Sequence, residues 1–189
     1  ILLVGYDPIE MRTGWRNLWD SSKTRVVEFL IAPEYSYMHK SSLRFICNIS
    51  EGIEALSNGL EKKTTWGNGE LIEMRNKHEK IYGQKQEWGP GAITETVRSL
   101  VPRDTVITMD SGAHRILISQ AWRTYVPRSA LQSSAFCTMG CALPLATGAK
   151  LADPARVVVA FMGDGGLEMV LGELITLRDL GLPLSLIHI

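Results

Sequence analysis

The stretch RVVVAFMGDGGLEMV, Arg156 to Val170, runs through apolar residues into Gly163, Asp164, Gly165 and Gly166 and then into a helix-like pattern. A glycine turn after a parallel strand lets backbone N–H groups converge with the start of the next helix, and that makes an anion site. A carboxylate in such a turn repels a phosphate unless a cation lies between them. Asp164 is therefore a candidate ligand for Mg²⁺, which takes one or two carboxylates together with phosphate oxygens. Read without its neighbours, Asp164 is equally well explained as an N-cap, the glycines only shaping the turn. The segment has neither the lysine of a P-loop nor GxGxxG spacing.

Other residues with chemistry in them are fewer. His114, in DSGAH, stands where a strand pattern gives way to a polar turn; taken alone it either contacts a ligand or caps the helix that follows. Met139, in CTMG, reads as an ordinary core residue. The cysteines, Cys47, Cys137 and Cys141, form no CxxC pair and are expected to be reduced thiols of a cytosolic protein. Cys137 and Cys141 have the spacing to share a helix face, but no His or carboxylate set stands beside them and no metal site is expected there.

The chain of 189 residues is 45% hydrophobic and carries 20 basic against 20 acidic residues. That balance leaves no field to hold nucleic acid or an anionic membrane non-specifically. The apolar runs are too short and interrupted to span a bilayer, and no charged start precedes a signal-like region. A cytoplasmic location is expected.

The elements that must position these residues fall into parts. Over residues 1–60, ILLVG, TRVVEFLIA (stopped by Pro33) and LRFICNI read as strands, and SEGIEALSNGLEKK, from Ser50, as a helix. Strands separated by crossovers predict a parallel α/β sheet. Residues 61–88 are polar and glycine-interrupted, and predict a linker with one exposed helix. Residues 89–183 hold the informative pieces. GPGAITETVRSLV is an amphipathic helix, DTVITMDSGAH a strand entering a turn, and CALPLATGAKLA a close-packed helix. The Arg156–Pro183 segment reads as strand, tight turn, one helix and a Gly181–Pro183 stop. In open α/β sheets, ligands bind at the carboxyl ends of the strands. The start on ILLVGYDP, without methionine and already inside a strand, predicts a cut N-terminus. The last six residues, LSLIHI, match a translated sequencing adapter; 184–189 are expected to be non-natural and are set aside from the fold, a strand cut short being the other reading.

Taken together, DTVITMDSGAHRILISQAW, PRSALQSSAFCTMGCALPLATGAKLADPARVVVAFMGDGGLEM and GELITLRDLGLP resemble the thiamine-diphosphate-dependent enzymes of the acetolactate synthase type. Residues 1–60 look like the second half of that family's central domain, with GYDPIE similar to a version found there. The resemblance implies an α/β fold of parallel sheets flanked by helices: an incomplete central domain and, over 89–183, an incomplete thiamine-diphosphate-binding domain. It implies Asp164 as the Mg²⁺ ligand and Gly163, Gly165 and Gly166 as the turn against the diphosphate. Gly112, Ala113 and His114 match the other turn that contacts it, although the family often has glutamine where Ala113 stands. Met139 matches the bulky residue that props the cofactor in its bent form. Cys137 stands where the family usually has glycine, whose carbonyl accepts from the aminopyrimidine ring.

The implied chemistry is carbanion chemistry carried by the cofactor: a 2-oxo acid such as pyruvate loses carbon dioxide and the remainder adds to an acceptor carbonyl. The family's activating glutamate belongs to an amino-terminal domain on a neighbouring subunit, so no catalytic residue is expected on this chain, and homodimers or homotetramers are implied. A further oxygen ligand to the metal follows the next strand. The 189 residues alone are therefore expected to be inactive and to bind thiamine diphosphate weakly or not at all. VVEFLIAPEY departs from the acidic pattern that meets a flavin's adenosine, and FAD is not favoured. Two alternatives remain open at this level: a 2-oxo acid decarboxylase on the same scaffold, and a nucleotide-binding or regulatory module without chemistry, in which Asp164 only caps a helix.

Overall fold

A computed structural model of the chain describes residues 1–6, 19–33, 39–63, 65–82, 87–134 and 136–189. The turn expected at Asp7–Glu10 and the end of the flavin-related segment, Glu34 and Tyr35, lie outside the described residues. The chain divides into two units, Ile1–Thr65 and Trp66–Ile189.

In the first unit β1 (Leu2–Val4), β2 (Val27–Leu30) and β3 (Leu43–Ile46) form a parallel sheet in that order. The central strand is the buried one, with Phe29 and Leu30 in the core. Its Glu28 is also buried and meets Arg44, its partner in register on β3, with Oε2 accepting from Nε at 2.8 Å. Helix α1 (Ile49–Ser57) starts earlier than the sequence suggests. Its cap is Asn48, whose side chain accepts from the N–H groups of Ser50 and Glu51 at 3.0 and 3.4 Å. The helix also stops short of the lysines, at Ser57, because Asn58 and Gly59 leave it through a turn. A Cβ on Gly52 would stand 2.7 Å from Phe29, so the helix packs on β2 through a position with no side chain.

The second unit begins with α2 (Glu70–Tyr82), an exposed helix, and α3 (Pro90–Leu100), which carries proline in its first turn. There follow β4 (Val106–Met109), α4 (Ala113–Ala121), β5 (Ala130–Gln132), α5 (Ala142–Ala152), β6 (Val158–Met162), α6 (Asp164–Met169), α7 (Glu173–Asp179) and β7 (Ser185–His188). The sheet is parallel throughout, in the order β5-β4-β6-β7. Every residue of β4 and β6 is buried, as continuous apolar strands between two helical layers must be. Side chains alternate between the layers. Ile107, Met109, Val159 and Phe161 pack with Ile118 and Trp122 of the α4 side; Val106, Val158 and Ala160 pack with Ala146 of α5. The fold is thus α/β, with parallel sheets flanked by helices, as the sequence implies.

Three details differ from the sequence reading. Helix α4 and the edge strand β5 were not separated out in the pattern, β5 being only three residues long. The single helix expected after the glycine turn is two helices, broken at Val170–Gly172, where Val170 leaves helical geometry (φ −129°, ψ 23°). Residues 184–189, set aside at the sequence level, are part of the fold: their alternating apolar residues form β7, Leu184 and Leu186 on one face, Ile187 and Ile189 on the other. No helix among the described residues is long and apolar enough to cross a membrane.

Candidate functional site

Because β4, β5 and β6 are parallel neighbours, their carboxyl ends open on one rim, and three loops meet there: Asp110–Gly112, Ser133–Cys141 and Gly163–Gly166. This is where a doubly covered sheet leaves room for a ligand.

The turn after β6 is shaped by its glycines. Gly163 occupies the N-cap position of α6 and Asp164 is the first helical residue; no side chain among the described residues caps this helix. The carboxylate of Asp164 is exposed at the rim instead. Gly163 faces His114: a Cβ there would stand 3.7 Å from His114 Cε1 and 3.9 Å from the carbonyl oxygen of Ile189. Gly165 faces Met139, whose Cε would lie 3.2 Å from a Cβ at that position. Gly166 is buried.

The turn after β4 ends at Gly112, the N-cap of α4, which has no capping side chain either. Ala113 opens the helix, exposed. His114 is inside the helix, not its cap, and its ring folds back over Gly112, where a Cβ would stand 2.7 Å from Nδ1. Its Nε2 is buried with no partner among the described residues. Burial holds the imidazole below its ordinary range, against the upward pull of the Asp110 charge. His114 therefore offers a neutral ring with one nitrogen in want of a partner, as an anionic or polar ligand would supply.

The third loop carries Met139 and both helix-spaced cysteines, but Cys137 precedes α5 and only Cys141 reaches it, as the N-cap residue. The two do not share a helix face. Cys137 has φ +49°, the left-handed conformation that glycine adopts freely and other residues at a cost of about 1–2 kcal/mol. Its side chain has found room: Sγ donates to the Ser134 carbonyl at 3.2 Å and lies 3.6 Å from Arg115 Nη2. Arg115, buried, also donates to the Ser133 carbonyl at 3.2 Å. A groove of about 700 Å³ opens beside this loop, lined in part by Ser133, Thr138, Met139, Cys141 and Val170.

One residue of the site was not singled out from sequence. Asp110, fully buried at the end of β4, accepts the backbone N–H of Cys141 at 3.1 Å through Oδ1, while Oδ2 has no partner among the described residues. The Cys141 thiol beside it is pushed up, by burial first and by the Asp110 charge as well. The available signal was position: Asp110 directly follows VITM, as the glycine turn directly follows VVAFM.

The structure thus brings together His114, Met139, Gly163 and Gly165, with Gly112 behind the ring and Asp164 at the open side. Among the described residues no cluster of three His, Cys, Asp or Glu side chains could hold a metal ion unaided. A single exposed carboxylate in a glycine turn fits a hard cation that takes its remaining ligands from phosphate and water. The unpartnered Nε2 of His114, close beside Gly163, fits the anion that such a cation would accompany.

Residues 110–189 match the thiamine pyrophosphate enzyme C-terminal TPP-binding domain. The chain is 27% identical over 207 aligned residues, covering all of it, to the acetolactate synthase of Bacillus subtilis (strain 168). It is 38% identical over 95 residues, half of the chain, to the acetolactate synthase isozyme 1 large subunit of Escherichia coli (strain K12). It is 34% identical over 128 residues, 68% of the chain, to the acetolactate synthase large subunit of Parasynechococcus marenigrum (strain WH8102). The chain spans 34%, 17% and 19% of these three proteins' own lengths. The resemblance drawn from the sequence is borne out: residues 110–189 match a thiamine-diphosphate-binding domain, and the proteins to which the chain is similar are acetolactate synthases.

Proposed function

We propose that this chain supplies the diphosphate- and Mg²⁺-binding part of an enzyme that acts on 2-oxo acids, an acetolactate-synthase-like carboligase with pyruvate as a substrate. The observation that carries the reading is the convergence of His114, from the first turn of α4, and Met139, from the loop before α5, on the single turn Gly163–Gly166.

Asp164 would hold Mg²⁺ against the diphosphate, and the backbone of Gly163, Gly165 and Gly166 would lie along it. Gly112, Ala113 and His114 would close the other side. When bound, thiamine diphosphate supplies the carbanion chemistry. The chain's own part is to bind, to orient and to keep water away. Met139, between the groove and Gly165, would set the position of the cofactor's rings, and Cys137 would offer a backbone carbonyl from its left-handed turn. A neutral His114 would meet the diphosphate as a hydrogen-bond partner without adding charge. The activating carboxylate and a further metal ligand come from elsewhere in the intact protein, a homodimer or homotetramer in the cytoplasm, without FAD.

The test is calorimetric titration of the intact protein with thiamine diphosphate, with and without Mg²⁺, followed by product analysis from pyruvate. Metal-dependent binding and formation of acetolactate are expected. Absence of binding in both conditions overturns the reading, and acetaldehyde as the sole product replaces the carboligase with a decarboxylase.

A further inference from the structure

We propose that Asp110 is a positioning residue: its buried carboxylate fixes the loop carrying Met139 relative to the turn carrying Asp164. The proposal rests on the reading of that turn as a cofactor site, and names what sets its width.

Three segments meet at this one side chain. Asp110 itself directly follows β4. Its Oδ1 takes the N–H of Cys141 at the start of α5. Its Oδ2 lies in the space where a side chain on Gly166 would be: a Cβ there would stand 1.7 Å from Oδ2 and 3.4 Å from the N of Gly140. Gly140, with φ +79°, closes the junction from the other side, since a Cβ on it would stand 2.8 Å from Val170 Cγ1 and 3.3 Å from the carbonyl oxygen of Gly166. Backbone therefore approaches backbone, with the carboxylate wedged beside the contact. Met139 and Gly165 directly precede Gly140 and Gly166, so the pair that would face the ligand is one residue removed from the wedge on both sides.

A fully buried carboxylate with an unpartnered oxygen carries a desolvation cost, and an uncharged side chain of the same size would fill the space with less of it. What the carboxylate adds is a charge-assisted bond to the first turn of α5, at the end of the helix where negative charge is favourable. It adds as well a rigid filler that only a glycine at 166 can accommodate. The Met139 loop cannot approach the Asp164 turn further without displacing it, nor retreat without breaking the Cys141 bond.

The test compares Asp110→Asn and Asp110→Ser with the wild-type intact enzyme by hydrogen exchange without cofactor and by thiamine diphosphate titration at saturating Mg²⁺. Exchange is expected to rise about tenfold in peptides covering 137–142 and 163–170 while those covering β6 hold, as local opening requires. Affinity is expected to fall about tenfold or more. Wild-type exchange and affinity in both variants overturn the proposal. So does exchange rising evenly across the sheet, or failure of both variants to fold, either of which marks a general stability role. If the wild type itself binds no cofactor, the reading of the site fails, and the exchange comparison still decides the wedge.

Discussion

The terminal methyl of Met139 rests against Gly165, whose absent side chain would stand 3.2 Å from it, whereas a side chain on the next glycine along, Gly166, would overlap the carboxylate of Asp110. Two adjacent glycines therefore meet neighbours of opposite character, one a flexible thioether chain, the other a buried acid.

That contrast predicts unequal costs. Gly165→Ala is expected to lower stability by less than about 1 kcal/mol, because Met139 can turn aside. Gly166→Ala is expected to cost about 3 kcal/mol or more, since neither backbone nor carboxylate has room to move. Urea denaturation of the two variants side by side checks this; equal midpoints would refute it.

Asp164 caps nothing and is exposed, so Asp164→Ala is expected to change unfolding free energy by no more than about 0.5 kcal/mol. Ligand-induced stabilisation should behave differently. In the intact protein, saturating thiamine diphosphate with Mg²⁺ should raise the wild-type Tm, by about 2.7 kcal/mol of stabilisation at a hundredfold excess over Kd. In Asp164→Ala, or with divalent ions chelated, that rise should vanish. A variant that keeps the full rise would return Asp164 to a purely local role.

Acidification should weaken the fold through His114. Its folded-state pKa lies below the ordinary value of about 6.5, chiefly through burial. The unfolded chain then binds more protons than the native one, so stability falls as pH drops through that ordinary value and levels off once the native ring is also protonated. His114→Gln should flatten this part of the stability profile. A slope unchanged by the substitution would assign the acid sensitivity to other groups.

Cys137→Gly exchanges a left-handed cysteine for the residue that takes that conformation without strain. Relief of about 1 kcal/mol of backbone cost is set against the lost Ser134 and Arg115 contacts and the greater freedom of the unfolded chain. The net change is expected to lie within about 1 kcal/mol of zero. A thermal melt showing a larger loss would mean that the thiol contacts dominate the loop.

Much of this was legible in the residues. The buried strands β4 and β6 are short apolar runs that end in polar or glycine turns, and such runs announce both a parallel sheet and its functional rim. Met139 was readable only through the resemblance, since a methionine beside small residues carries no local signal. Asp110 escaped because one acid after a strand looks like any turn residue until its burial is known. The break at Val170–Gly172 escaped as well: Leu167, Leu171, Leu174 and Ile175 keep a helical spacing straight across it. Asn48 outranked Ser50 as the cap because the backbone, not the side-chain ranking, decides where a helix begins.

Consecutive residues on α4 reach in different directions: the ring of His114 toward Gly163, the guanidinium of Arg115 toward Ser133 and Cys137. The helix therefore works as an axle with two spokes. Any rotation about its long axis swings both at once, so the contact with Gly163 and the contacts with Ser133 and Cys137 must change in step.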